Sequence, residues 1–146
     1  QAVNKMTELM NSFRYERGVK VLMDHNLSAS LKLLKEGALV GVVSDLNARE
    51  RGYRVPFFGR EASFYPTPVI LSMRGNAPLI PAFIERQSAK KQIIRFESPV
   101  EWVPNEKMSQ RVSRYVQRYE AAFRRRPDQW VWFHERYAHA ELGRVD

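Results

Sequence analysis

Ala38-Leu39-Val40-Gly41-Val42-Val43-Ser44-Asp45 is the stretch on which the fold reading turns. Small and β-branched apolar residues follow one another without polar alternation, the pattern of a central strand buried on both faces. The strand ends on a carboxylate, Asp45, and open α/β sheets receive their ligands at the C-terminal ends of such strands. An acid there can orient a catalytic imidazole, bind a sugar hydroxyl, or simply cap the turn that follows.

Working outward, helices alternate with strands. Met6, Leu9, Met10 and Phe13 mark one face of a helix over Asn4–Tyr15, closed by Gly18, and Val19–Met23 reads as a short strand. Ser28 caps a second helix carrying Leu31, Leu33 and Leu34, with Gly37 at its C-terminus. Thr67–Arg74 forms a third, with Pro68 in its first turn and Gly75 after its end. Pro78–Glu85 and Gln92–Glu97 are strands, the second nearer an edge. Asn105 opens a long amphipathic helix with Met108, Val112, Tyr115, Val116, Tyr119, Ala122 and Phe123 on one stripe, and Pro127 stops it. The alternation predicts an α/β fold with a mixed, largely parallel sheet flanked by helices.

The chain has 146 residues, one domain's worth, without internal repeat or inter-domain linker. It contains no cysteine, which excludes a disulfide framework, thiolate catalysis and Cys-type zinc sites. No apolar run reaches the roughly 18 to 20 residues of a membrane-spanning helix. A formal charge of +8 and a pI near 10.0 predict attraction to polyanions: nucleic acid, an anionic membrane surface or a phosphorylated lipid. The first residue is Gln1 rather than Met, so the chain is expected to be a piece or a trimmed product of a longer protein.

Asn47–Phe64 reads as a long loop in which Arg49, Arg51, Arg54 and Arg60 interleave with Tyr53, Phe57, Phe58 and Phe64. Guanidinium forks suit phosphate oxygens, although a solvated charged loop has the same composition. Arg111, Arg114, Arg118 and Arg125 recur along the long helix, facing water or lipid headgroups. Pro127-Asp128-Gln129-Trp130-Val131-Trp132-Phe133-His134-Glu135-Arg136 is a turn, helix or strand with a cationic end, whose tryptophans suit either interfacial anchoring or packing. The three histidines, His25, His134 and His139, lack metal-ligand spacing, and neither a Gly-x-Ser-x-Gly elbow nor a phosphate-cradling glycine loop is present.

Taken together, Asp45-Leu46-Asn47-Ala48, Val55-Pro56-Phe57-Phe58-Gly59 and the Pro127–Arg136 block resemble the lipid A (lauroyl/myristoyl) acyltransferase family. That family reads Asp-Gln, Phe-Phe-Gly, a small-residue helix, Gly-Ala-Pro-x-x-Pro and Pro-Glu-Gln-Trp-x-Trp-x-His-x-Arg in the same register. The likeness covers about Asn4 to Tyr137. One departure is Leu46 where the family has Gln, so a hydrogen bond made by that amide is lost or passes to Asn47.

The resemblance implies a glycerolipid-acyltransferase-like fold, of which residues 1–146 would be the C-terminal part of a single, incomplete domain. It implies transfer of a fatty acyl chain from an acyl-carrier-protein or acyl-CoA thioester to a phosphorylated glycolipid hydroxyl at the cytoplasmic face of the bacterial inner membrane. Asp45 becomes the acid supporting the catalytic histidine. Arg49, Arg51, Arg54, Phe58 and Gly59 lie beside the acceptor, and Arg118, Arg125, Trp130 and Trp132 meet membrane or headgroups. No metal or cofactor beyond the donor is implied.

The superfamily's His-x-x-x-x-Asp/Glu pair is absent: His25 is followed at that offset by Ser30, His134 by His139, and His139 by Arg144. This chain by itself is therefore expected to be inactive. A phosphatidylinositol mannoside acyltransferase is the near alternative, and a non-enzymatic polyanion-binding domain the remote one. Single-stranded RNA readers display aromatics on a sheet among basic residues, a pattern these apolar strands lack, so nucleic acid is not the expected partner.

Overall fold

The structure, a computed structural model, describes residues 5–22 and 26–146. It divides into an N-terminal unit ending at Val40 and a C-terminal unit of Gly41–Asp146. The first contains α1 (Lys5–Glu16) and α2 (Leu27–Lys35). Asn26, rather than Ser28, caps α2, its side-chain oxygen accepting from the Ala29 N–H at 3.0 Å. Val19–Leu22 carries no ladder, and Met23, Asn4 and His25 lie outside the described residues.

The C-terminal unit is built around a hairpin. β1 (Tyr53–Phe57) pairs antiparallel with β2 (Arg60–Phe64), bringing Tyr53 opposite Phe64 and Val55 opposite Ala62. Only Phe58 and Gly59 connect the strands, both with positive φ (50° and 77°), the conformation a two-residue primed turn needs. The stretch expected to be a loop is thus a 3-10 turn, Arg49–Arg51, followed by this hairpin. Tyr53, Val55 and Phe57 alternate with Arg54 and Pro56, so the period-two pattern was legible beneath the charges.

α3 (Thr67–Gly75) follows, closed by a left-handed Asn76, one residue beyond the expected stop. α4 (Met108–Arg125) starts at Lys107 rather than Asn105, the Gln110 side chain accepting the Lys107 N–H at 2.8 Å. Val55, Phe57, Ala62 and Phe64 on the inner face of the hairpin pack with Val69 of α3 and Val112, Tyr115 and Val116 of α4. On the outer face, Ser63 donates to the Arg49 carbonyl at 2.6 Å, and Gly143 packs against Arg54 and Ser63.

The sheet corrects the sequence expectation. The class is mixed α/β, but the described strands form two separate antiparallel pairs, the second joining β3 (Ala82–Arg86) to β4 (Gln92–Phe96). Parallel pairing among the described residues is confined to one bridge, Tyr53 to Arg144. Ala38–Ser44 has no ladder, and Val43 is 80% exposed. An apolar β-branched run reports a preference for burial in extended form; it does not supply the neighbouring N–H and C=O groups that a parallel strand requires.

Candidate active site

Asp45 ends the extended segment, and its neighbours fix it to α4. Ser44 is buried, and its hydroxyl lies 2.6 Å from the Tyr119 phenol. Two residues on, the Asn47 amide nitrogen donates to the carbonyls of Glu135 and Ala138 at 2.8 and 2.7 Å, while its oxygen accepts the Arg49 N–H at 3.0 Å. One side chain therefore ties the Asp45 segment to the turn that carries Arg136. Leu46, where an amide was expected, is exposed, and the neighbouring amide of Asn47 makes these bonds.

Arg136 closes the aromatic block that the sequence assigns to anchoring or packing, with no site role of its own. It is 4% exposed, with its guanidinium carbon 4.8 Å from the centre of the Phe64 ring and 5.6 Å from that of Trp130. Burial lowers its pKa, opposed first by the negative charge of Asp45. Tyr119 moves the other way: burial raises its phenol, the Ser44 hydrogen bond pulls it back, and Asp45 adds to the rise. The Ser44–Tyr119 bond thus sets the helix–segment junction, with Asp45 next in sequence.

A cavity of about 340 Å³ opens beside this junction. Val42, Val43, Phe83, Ile84, Ala122 and Phe123 give it apolar walls, and Ser44, Asp45, Tyr119, Glu85, Arg126 and Gln129 line it as well. Such a cavity, with apolar walls and charged and hydroxyl groups along it, suits a ligand with a hydrocarbon part and a polar part.

The basic candidates do not converge there. Arg49 and Arg51 are exposed in the 3-10 turn, Arg49 with φ of 47°. Arg54 lies on the outer face of the hairpin, 3.5 Å from Glu61. Phe58 and Gly59 occupy the far turn, separated by the five residues of β1, roughly 17 Å of strand. The Phe58 N–H donates to Glu120 at 3.0 Å, and Arg124 stacks on its ring at 4.8 Å.

Trp130 stacks on Phe123 (4.3 Å) and meets Phe57 edge-on (5.6 Å). Trp132 is more open, its indole N–H donating to the Pro127 carbonyl at 2.6 Å. On α4, Arg114 pairs with Glu106 at 2.6 Å and Arg125 with Glu97 at 2.9 Å, so part of the basic stripe is already neutralised. Arg118 is half-buried. No cluster of metal-binding side chains occurs among the described residues, and no described helix is long and apolar enough to cross a membrane.

No curated protein sequence matches the chain. The sequence model for bacterial lipid A biosynthesis acyltransferases matches residues 1–139, nearly its whole length. The blocks around Asp45, Phe57–Gly59 and Trp130–Arg136 fall inside that match, and the chain belongs to the bacterial lipid A biosynthesis acyltransferase family.

Proposed function

We propose that the chain is the C-terminal part of an acyltransferase domain that moves a fatty acyl group from an acyl-carrier-protein or acyl-CoA thioester to a hydroxyl of an anionic glycolipid, a lipid A precursor. The reading rests on Asp45, which lines the cavity in a segment held on either side by the Ser44 and Asn47 side chains. Asp45 supports the histidine of a His-x-x-x-x-Asp/Glu pair carried outside this sequence. The histidine takes the proton of the acceptor hydroxyl as its oxygen attacks the thioester carbonyl, and the carrier thiol leaves. Without that pair the isolated chain transfers no acyl group.

Arg49 and Arg51, exposed beside the Asp45 segment, hold the acceptor's phosphates, with Arg54, Phe58 and Gly59 extending the contact along the hairpin. Arg118 and Trp132 face headgroups on the cytoplasmic side of the inner membrane, whereas Trp130 is taken up by packing against Phe57 and Phe123 and Arg125 by its pair with Glu97; the +8 charge favours both that surface and an acidic carrier protein.

The test is acyl transfer from acyl-carrier protein to a lipid A precursor, followed by mass spectrometry, with the isolated chain, the native gene product and its Asp45→Ala variant. The expected result is no product from the isolated chain, product from the native protein, and a loss of roughly a hundredfold or more in Asp45→Ala. Transfer by the isolated chain, or an undiminished Asp45→Ala rate, overturns the assignment.

A further inference from the structure

The cavity beside Asp45 does not end at its apolar walls. A second cavity of about 690 Å³ adjoins it along β3 and the turn that carries Trp130, and Ile84, Arg126 and Gln129 line both. The two differ in charge. Asp45 and Glu85 line the first alone, and Glu85 is already held by Arg95 at 2.9 and 3.1 Å. Arg86 and Asp128 line the second alone, with Trp130, Val131 and Phe133 beside them.

Gln129 fixes the wall that the cavities share. Its side-chain oxygen accepts the Arg86 N–H at 2.7 Å and its nitrogen donates to the Arg86 carbonyl at 3.0 Å, the exchange of two bonds that a neighbouring strand would make. Both backbone groups of Arg86 are thereby held. Its side chain is exposed, and among the described residues its guanidinium has neither an ion pair nor a hydrogen bond. Arg126 donates twice to Asp128, both at 3.1 Å, but the two side chains are partly solvent-exposed, and a pair in that setting is weak enough to give way to another anion. Ile84 and Arg86 lie two residues apart on one face of β3, roughly 7 Å along the strand. A chain lying over Ile84 therefore brings an anionic group to Arg86 and Arg126.

We propose that the second cavity is a phosphate subsite for the acyl-thioester donor: Arg86 and Arg126 hold the phosphate ester of its phosphopantetheine arm, and the arm runs over Ile84 into the cavity that Asp45 lines. The inference rests on the donor class proposed above. Arg49 and Arg51, assigned there to the acceptor's phosphates, line neither cavity, so donor and acceptor phosphates have separate cations. Guanidinium forks match phosphate oxygens. Asp128 is the counter-ion that the phosphate displaces from Arg126, so removing its charge strengthens binding.

The experiment uses the native gene product and its Arg86→Gln, Arg126→Gln and Asp128→Asn variants. Calorimetric titration with phosphopantetheine, and with pantetheine as the phosphate-free control, reads the subsite without catalysis. Steady-state acyl transfer then gives KM for donor and acceptor separately. Arg86→Gln is expected to weaken phosphopantetheine binding about tenfold, the loss of one charge-assisted contact, and to leave pantetheine binding unchanged. Arg126→Gln acts in the same direction, and Asp128→Asn should tighten phosphopantetheine binding about threefold. KM for the donor should rise in Arg86→Gln while KM for the acceptor stays at the parent's value. Gln129 holds the backbone of Arg86 rather than its side chain, so Arg86→Gln should unfold at the parent's midpoint.

No difference between phosphopantetheine and pantetheine in the parent, or an Arg86→Gln variant that binds both as the parent does, overturns the proposal. So does weaker binding in Asp128→Asn. A rise in KM for the acceptor instead of the donor would give these cations to the acceptor's phosphate and overturn the donor assignment. Phosphate-dependent binding that needs Arg86, in a parent that transfers no acyl group, would keep the subsite and refute the functional assignment; acyl transfer indifferent to Arg86 would do the reverse.

Discussion

The two hairpins of the C-terminal unit have the same size and the same pairing, yet they are different kinds of object. β1 and β2 are five residues each, and so are β3 and β4. In the first, Phe57 is fully buried, with Phe58, Phe64, Phe123 and Trp130 edge-on or nearly so around it at 4.7 to 6.3 Å. In the second, Ile84 and Ile94 face each other across the ladder and are 65% and 60% exposed, with Phe96 at 67% on the same face. Hydrogen-bonded pairing makes a hairpin, but burial comes from what lies across its faces. α4 and the C-terminal turns enclose the first hairpin, whereas for the second the inner contact is Phe83 against Tyr119 and Phe123 at 5.8 and 6.5 Å.

Phe57→Ala breaks this contrast most severely. It should cost about 3–5 kcal/mol, the range for removing a buried aromatic ring, measured by urea denaturation. Phe96→Ala, the same chemical change on the open hairpin, should cost far less. Equal losses would mean that the two faces are not differently buried in solution.

Tyr119 belongs to both hairpins, since its ring meets Phe64 at 6.3 Å as well as Phe83. Tyr119→Phe keeps those contacts and removes the bond to Ser44, for an expected loss of about 1 kcal/mol, rising toward 3 if the buried Ser44 hydroxyl finds no other partner. It also changes the alkaline response. Burial raises the phenols of Tyr115 and Tyr119 above the ordinary value of 10.0. The unfolded chain therefore gives up those protons first, so stability is whole below about pH 10 and falls as pH rises toward the folded values. Denaturation midpoints from pH 8 to 11 should fall less steeply in Tyr119→Phe than in the parent.

Ile94→Thr gives the smallest effect, within about 0.5 kcal/mol, because the residue is largely solvated and threonine suits a strand equally well. A loss above 2 kcal/mol would show that this face is covered in solution.

The same distinction explains what was readable in advance. The apolar stripe of α4 was clear because helical spacing is local, and Val112, Tyr115 and Val116 are indeed buried. The Tyr53–Phe64 hairpin was hidden by its arginines, although Phe58-Gly59 supplied the turn and the alternation supplied the strands. Asp45 was given a site role from its place after an apolar run, whereas Arg136 was noted only as part of its block: an arginine in an aromatic block looks the same in sequence whether its guanidinium meets water or is enclosed by Phe64 and Trp130.

Sequence alone determined the charge, the four helical segments and the motif blocks that carry the family, because composition, local periodicity and residue order do not depend on distant neighbours. Tertiary structure decided the antiparallel pairing, the burial of one hairpin but not the other, and the meetings of Ser44 with Tyr119 and of Asn47 with the turn that carries Arg136. Those features arise from hydrogen bonds and desolvation between segments far apart in the chain, such as Asn47 with Ala138, whose partners no local pattern specifies.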